Sequence, residues 1–98
     1  MIEYRFLPPA ELEMIEAALF YENASPGLGS KFISYVNHSI TNVRRHPRMG
    51  EVLSGVFRRV VLRAFPFSLI YVIQDRCVLI IAIAHLLRAP YYWNSRLR

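Results

Sequence analysis

A chain of 98 residues with 54% hydrophobic content and a formal charge of +5 is long enough to bury a modest core, and one domain over residues 1–98 is expected. Its longest apolar run, Cys77 to Ala84, falls far short of the ~20 residues that cross a bilayer, and Met1 to Phe6 lack the charged start and long apolar stretch of a signal peptide. A cytoplasmic protein with no membrane partner is therefore expected, and its single cysteine, Cys77, excludes an intramolecular disulfide and a thiolate metal cluster.

Ile2 to Leu7 carries Tyr4 and Phe6 and is stopped by Pro8-Pro9, which suits an opening strand. A helix follows, with proline in its first turn and Glu11 and Glu13 where the macrodipole favours negative charge. Leu12, Ile15, Ala18 and Leu19 recur at helical spacing, with Met14, Ala17 and Tyr21 widening the stripe, and the helix is expected to end near Ala24. Ser25-Pro26-Gly27-Leu28-Gly29 is a dense break that reads as a tight helix–helix connection. Ser30 is the expected cap of a second helix, whose Phe32, Ile33, Val36, Ile40 and Val43 form its apolar face. Arg44, Arg45 and His46 suit its C-terminal dipole, and Pro47 ends it. The two helices make an αα-hairpin.

After a loop marked by Pro47, Gly50 and Gly55 the pattern turns to strands. Phe57 to Arg63, Phe67 to Ile73 and Cys77 to Ala84 are separated by Ala64-Phe65-Pro66 and Gln74-Asp75-Arg76, which implies an antiparallel meander. The last strand has few polar residues, must be covered on both faces and is expected to be central. The order β-α-α-β-β-β predicts an α+β fold: a helical hairpin on one face of a mainly antiparallel four-stranded sheet, with the other face open and cationic. The acids gather early (Glu3, Glu11, Glu13, Glu16, Glu22) and the arginines fall mainly from Arg44 onward. An anion-binding surface, for nucleic acid or an acidic protein segment, therefore belongs to the C-terminal half.

This element order resembles the RelE/ParE toxin superfamily, and in particular its ParE branch. The resemblance rests on Ser25-Pro26-Gly27-Leu28-Gly29 between two helices, His46-Pro47 after the second, and Ala84-His85-Leu86-Leu87-Arg88-Ala89-Pro90-Tyr91-Tyr92-Trp93 after the last strand. The stretch Val61 to Phe67, leading into Ile70-Tyr71-Val72, resembles that family's plasmid-stabilisation proteins. The resemblance implies the toxin half of a bacterial type II toxin–antitoxin system, neutralised by an acidic antitoxin whose C-terminal segment folds on binding. A basic, apolar-rich domain suits such a partner on physical grounds too.

The branches of the superfamily differ in chemistry. RelE-like members cut messenger RNA on the ribosome, which needs a base for the ribose 2′-hydroxyl, cations for the phosphate and an acid for the leaving oxygen. Matched onto this chain, Arg59 fills one basic position, while Val61, Ser68 and Leu86 stand where further cations are expected. His85 and Arg88 flank Leu86, and Tyr92 takes the approximate place of the tyrosine. A nuclease would thus rest on Arg59, His85, Arg88 and Tyr92, with His85 able to move protons near neutral pH or else simply hydrogen-bonded at a strand end. The depleted set favours the non-enzymatic branch, and the resemblance then implies DNA gyrase as target, through the helical hairpin and the C-terminal segment. A toxin that has lost activity and only binds antitoxin is a third reading.

Alternation places Arg59 and Arg63 on one strand face and Arg58 on the other. Arg59, Arg63 and Arg88 are the expected contacts for antitoxin carboxylates, unless the strand arginines merely solvate an edge. Tyr91, Tyr92 and Trp93 either face a partner or pack the terminal segment back onto the sheet, whereas Arg96 and Arg98, at the terminus, are expected to be disordered. His38, His46 and His85 lack ligand spacing and no glycine-rich loop follows a strand, so no metal, cofactor or small-molecule substrate is expected.

Overall fold

The computed structural model describes residues 1–97, and Arg98 lies outside the described residues. The elements are β1 (Glu3–Phe6), α1 (Pro8–Ala24), α2 (Leu28–Arg45), β2 (Glu51–Ser54), β3 (Phe57–Val61), β4 (Phe67–Gln74) and β5 (Cys77–His85), with short 3-10 turns at Pro47–Met49 and Asn94–Leu97. The sheet runs β1-β5-β4-β3-β2. β1 lies parallel to β5, and the other neighbours are antiparallel. The α+β architecture is as expected, but the sheet has five strands rather than four. β2 forms in the segment read as loop; four residues paired only with β3 at an edge are too short for a period-2 pattern. β5 is interior but not central, because β1 occupies its outer edge and β4 takes the middle.

The hairpin connection is shorter than its glycines suggest. Gly27, at φ 88°, is the residue before α2, so the helix starts ahead of Ser30. The carboxylate of Glu22 accepts the N–H groups of Gly27 and Gly29 at 3.0–3.1 Å. It thereby satisfies free donors at the α2 N-terminus and places negative charge where the dipole favours it. Gly29 is required for close packing: a Cβ there would lie 2.5 Å from the Ala18 carbonyl oxygen.

α2 buries the face expected of it, with Phe32, Val36, Ile40 and Val43 against the sheet. α1 does not. Its buried residues are Ala10 and Ala17, supported by half-buried Met14, Ala18 and Tyr21, while Leu12, Ile15, Leu19 and Phe20 are exposed. Its apolar residues are spread around the helix, so spacing alone could not select its inner face, and its small residues permit the close approach to α2.

The helix-facing core joins α1 and α2 to Leu69, Tyr71, Val78, Ile80 and Ile83. Tyr71 donates its hydroxyl to the Pro47 carbonyl (2.6 Å) and accepts the Gly50 N–H (3.0 Å), tying the loop after α2 to the sheet. Burial pushes its phenol above the ordinary value, opposed in part by the Gly50 bond and by Arg58. The opposite face is not open and cationic as expected. It carries Phe57, Ile70, Val72, Leu79, Ile81, Ala82 and Ala84, and Trp93 and Tyr92 of the C-terminal segment pack upon it. A bulge in β5 turns Ile81 and Ala82 to this same face, which makes it more apolar than strict alternation allows. No helix among the described residues is long and apolar enough to cross a membrane.

Candidate functional site

β1 stops at Phe6, and after the Leu7 N–H reaches the Ile80 carbonyl the outer edge of β5 has no strand beside it. Its free backbone groups are satisfied by side chains. Glu13, on the second turn of α1, accepts the Ile83 N–H at 3.1 Å, and Arg96 donates to the Ile81 carbonyl at 2.9 Å. The two side chains also meet each other, with Arg96 Nη1 2.8 Å from Glu13 Oε1 and Nη2 2.9 Å from Oε2. Tyr92 donates its hydroxyl to the same carboxylate at 2.6 Å, and Arg88 adds a 3.2 Å contact. The guanidinium of Arg88 lies 3.8 Å from the centroid of the Tyr92 ring.

Glu13 is thus a latch that binds the C-terminal segment to α1 and β5. Burial by itself would raise its carboxyl, but the hydrogen bonds from Arg96, Tyr92 and Ile83 and the charge of Arg96 outweigh that and hold it below the ordinary value. The Tyr92 phenol moves the other way, raised by burial and by its bond to Glu13, and so stays protonated. Sequence reading placed Glu13 only as a first-turn acid for the dipole. The signal for its real role lies in pairing across about 80 positions, which no local pattern carries.

Beside the latch, β3, β4, the end of β5 and the turn that follows enclose a half-open cavity of ≈170 Å³. Arg59, His85, Arg88, Tyr91, Tyr92 and Trp93 all line it, with Leu53, Ser68 and Ile70. The fold therefore gathers most of the expected site residues in one place. Arg59 pairs with Glu51 of β2. His85 accepts the Leu87 N–H on Nδ1 at 3.0 Å and sets its ring against Phe67. Ser68 is 3% exposed, and its hydroxyl has no hydrogen-bond partner among the described residues.

Two expectations fail. β3 ends at Val61, so Arg63 lies in the following turn and faces Ser34, Tyr35 and His38 of α2, away from Arg59. Alternation extrapolated past the strand end had put them together. Trp93 is buried against Phe57, with ring centroids 4.7 Å apart, and is open only where it lines the cavity. Tyr91, by contrast, is half exposed, on backbone at φ 60°.

The profile of the ParE toxins of type II toxin–antitoxin (parDE) systems matches residues 4–90. The chain belongs to this toxin family. Solved structures with the same fold include one of the chromosomal ParDE system of P. aeruginosa. It is 15% identical to the toxin, covering 88% of this chain and 97% of that one, with a TM-score of 0.64. The E. coli RelBE toxin–antitoxin complex contains a chain 18% identical over 90% of the toxin and 100% of its own length, at 0.68. The isolated E. coli RelE toxin gives 18%, 100%, 98% and 0.68 for the same quantities. A comparison with curated protein sequences gives no match. Membership of the family implies an antitoxin as partner of this toxin.

Proposed function

We propose that this ParE-family toxin acts in the cytoplasm as a non-enzymatic inhibitor of DNA gyrase, and that a cognate acidic antitoxin neutralises it by covering the basic side around Arg59 and Arg88. The observation that carries this reading is the commitment of Arg88 and Tyr92, half of the four-residue nuclease set, to Glu13. A phenol held protonated by a neighbouring carboxylate is a poor proton donor to a leaving oxygen. The cation positions are also depleted: Val61 and Ser68 stand opposite each other across β3 and β4 where a phosphate-cleaving face needs charge.

Exposed apolar residues support a protein target. Leu12, Ile15, Leu19 and Phe20 on α1, and Leu86, Leu87 and Tyr91 after β5, form patches on the hairpin and the C-terminal segment. Purified toxin incubated with gyrase and supercoiled plasmid is expected to trap linear DNA, and to do so equally well as His85→Ala. Absence of trapping and of inhibition at micromolar toxin would reject gyrase.

A ribosome-dependent messenger RNA endonuclease is the second reading, favoured by the meeting of Arg59, His85, Arg88 and Tyr92 at one cavity. It requires new 5′ ends on translated messages that disappear in His85→Ala. An inactive homologue that only binds antitoxin would cause no growth arrest on induction.

A further inference from the structure

We propose that the cavity beside Arg59 and Ser68 is a pocket for one carboxylate side chain of an extended acidic protein segment, a reading that rests on the antitoxin partnership above and names the group recognised. Ser68 sits at β4, directly across from Val61, which offers it no hydrogen bond. Its hydroxyl is the one buried side-chain polar atom without a partner among the described residues. Such an orphan costs about 1–3 kcal/mol, and an acceptor entering through the cavity removes that cost.

The other polar side chains lining the cavity are donors or can donate. Because His85 accepts a hydrogen bond on Nδ1, the neutral ring carries its proton on Nε2. Arg59 gives Nη2 to Glu51, and its Nη1 and Nε have no partner among the described residues. Among the described residues no carboxylate lines the cavity, and the one paired with Arg59 is Glu51, whose side chain is 63% exposed. Glu51 is therefore an intramolecular competitor that already shows Arg59 engaging a carboxylate on this face.

The shape suits a side chain. The half-open cavity of ≈170 Å³ has room for the end of one amino-acid side chain. Leu53, Ile70, Pro90 and Tyr91 supply apolar walls for the methylene stem of a glutamate, while Ser68 and Arg59 meet its carboxylate.

The test uses the isotope-labelled full chain and the backbone amide signals of Ser68 and His85. Four probes are titrated: a capped alanine pentapeptide with one central glutamate, its glutamine counterpart, inorganic phosphate and a tetra-adenylate. The glutamate peptide is expected to bind about tenfold tighter than the glutamine peptide, as a charge-assisted bond requires. Ser68→Ala is expected to weaken it about fivefold while leaving the folding midpoint unchanged or higher, since an orphan hydroxyl has been removed. Glu51→Gln is expected to tighten it about threefold by freeing Arg59.

Equal binding of the two peptides, or no shift with either, overturns the proposal. Tighter binding of phosphate or tetra-adenylate overturns it in favour of a nucleic-acid site. Gyrase trapping is measured on the same preparation. Trapping without peptide discrimination removes the pocket alone, and discrimination without trapping removes the gyrase reading alone.

Discussion

Replacing Glu13 by glutamine keeps the side chain's shape but removes the charge on which five hydrogen bonds converge, from Ile83, Arg88, Tyr92 and Arg96. An amide has one acceptor oxygen, so its NH₂ must face donors of Arg96 or Tyr92. The Arg88 pair is half exposed and contributes little. Glu13 and Arg96 are 12% and 17% exposed in their side chains, so their bonds and that of Tyr92 operate with little screening. Charge-assisted bonds of about 1.5–3 kcal/mol each are not additive when they share one carboxylate, and the expected loss is about 2–4 kcal/mol. For a domain of this length that is a large part of a total of about 5–15 kcal/mol, and it lowers Tm by roughly 10–25 °C. Trp93 is the only tryptophan and lies in the latched segment, so its emission reports release directly. Urea unfolding followed by Trp93 emission and by circular dichroism measures both effects. A loss below about 1 kcal/mol, with native emission unchanged, would refute the latch.

Acid should act on the same point. Because the Glu13 carboxyl is held below its ordinary value, its contribution is complete above the unfolded carboxylate pKa and is lost as pH falls through the lower folded value. Trp93 emission is thus expected to be flat from neutrality down to the ordinary carboxylate range and to shift red below it, whereas Glu13→Gln should show no such acid step. At the helix hairpin, Gly29→Ala should cost about 1–3 kcal/mol by forcing α1 and α2 apart. Gly27→Ala should cost about 1 kcal/mol through its positive φ alone, since open space surrounds that site. Thermal melts that rank the two in the opposite order would contradict the packing assigned to Gly29.

Most of the elements were legible because their signals are local. Pro8-Pro9 and Pro47 bracket the helices, Phe32, Val36, Ile40 and Val43 hold a helical period that α2 buries, and Asp75-Arg76 turn with positive φ at both residues between β4 and β5. β2 escaped notice because an edge strand of four residues has no period to display. The inner face of α1 was misread because its apolar residues are spread around the helix and offer no contrast between faces. At the site, Arg59, His85, Arg88, Tyr91 and Tyr92 were recognised by type and order, and the fold does bring them to one cavity. Arg63 was misplaced by carrying alternation beyond the end of β3, and Ser68 was noticed only as a missing cation.

The sequence alone therefore determined the order of the elements other than β2, the packing of a helical hairpin on one face of a sheet and the family, since proline, glycine and hydrophobic period act over a few residues. Only the tertiary structure decided which face is covered, which cations are engaged and which hydroxyl is left without a partner. Those outcomes depend on groups far apart in the chain, such as Glu13 with Arg96 and Tyr71 with Pro47. Their meeting is selected by the need to satisfy buried polar groups once the layers have packed, and a linear pattern holds no record of that need.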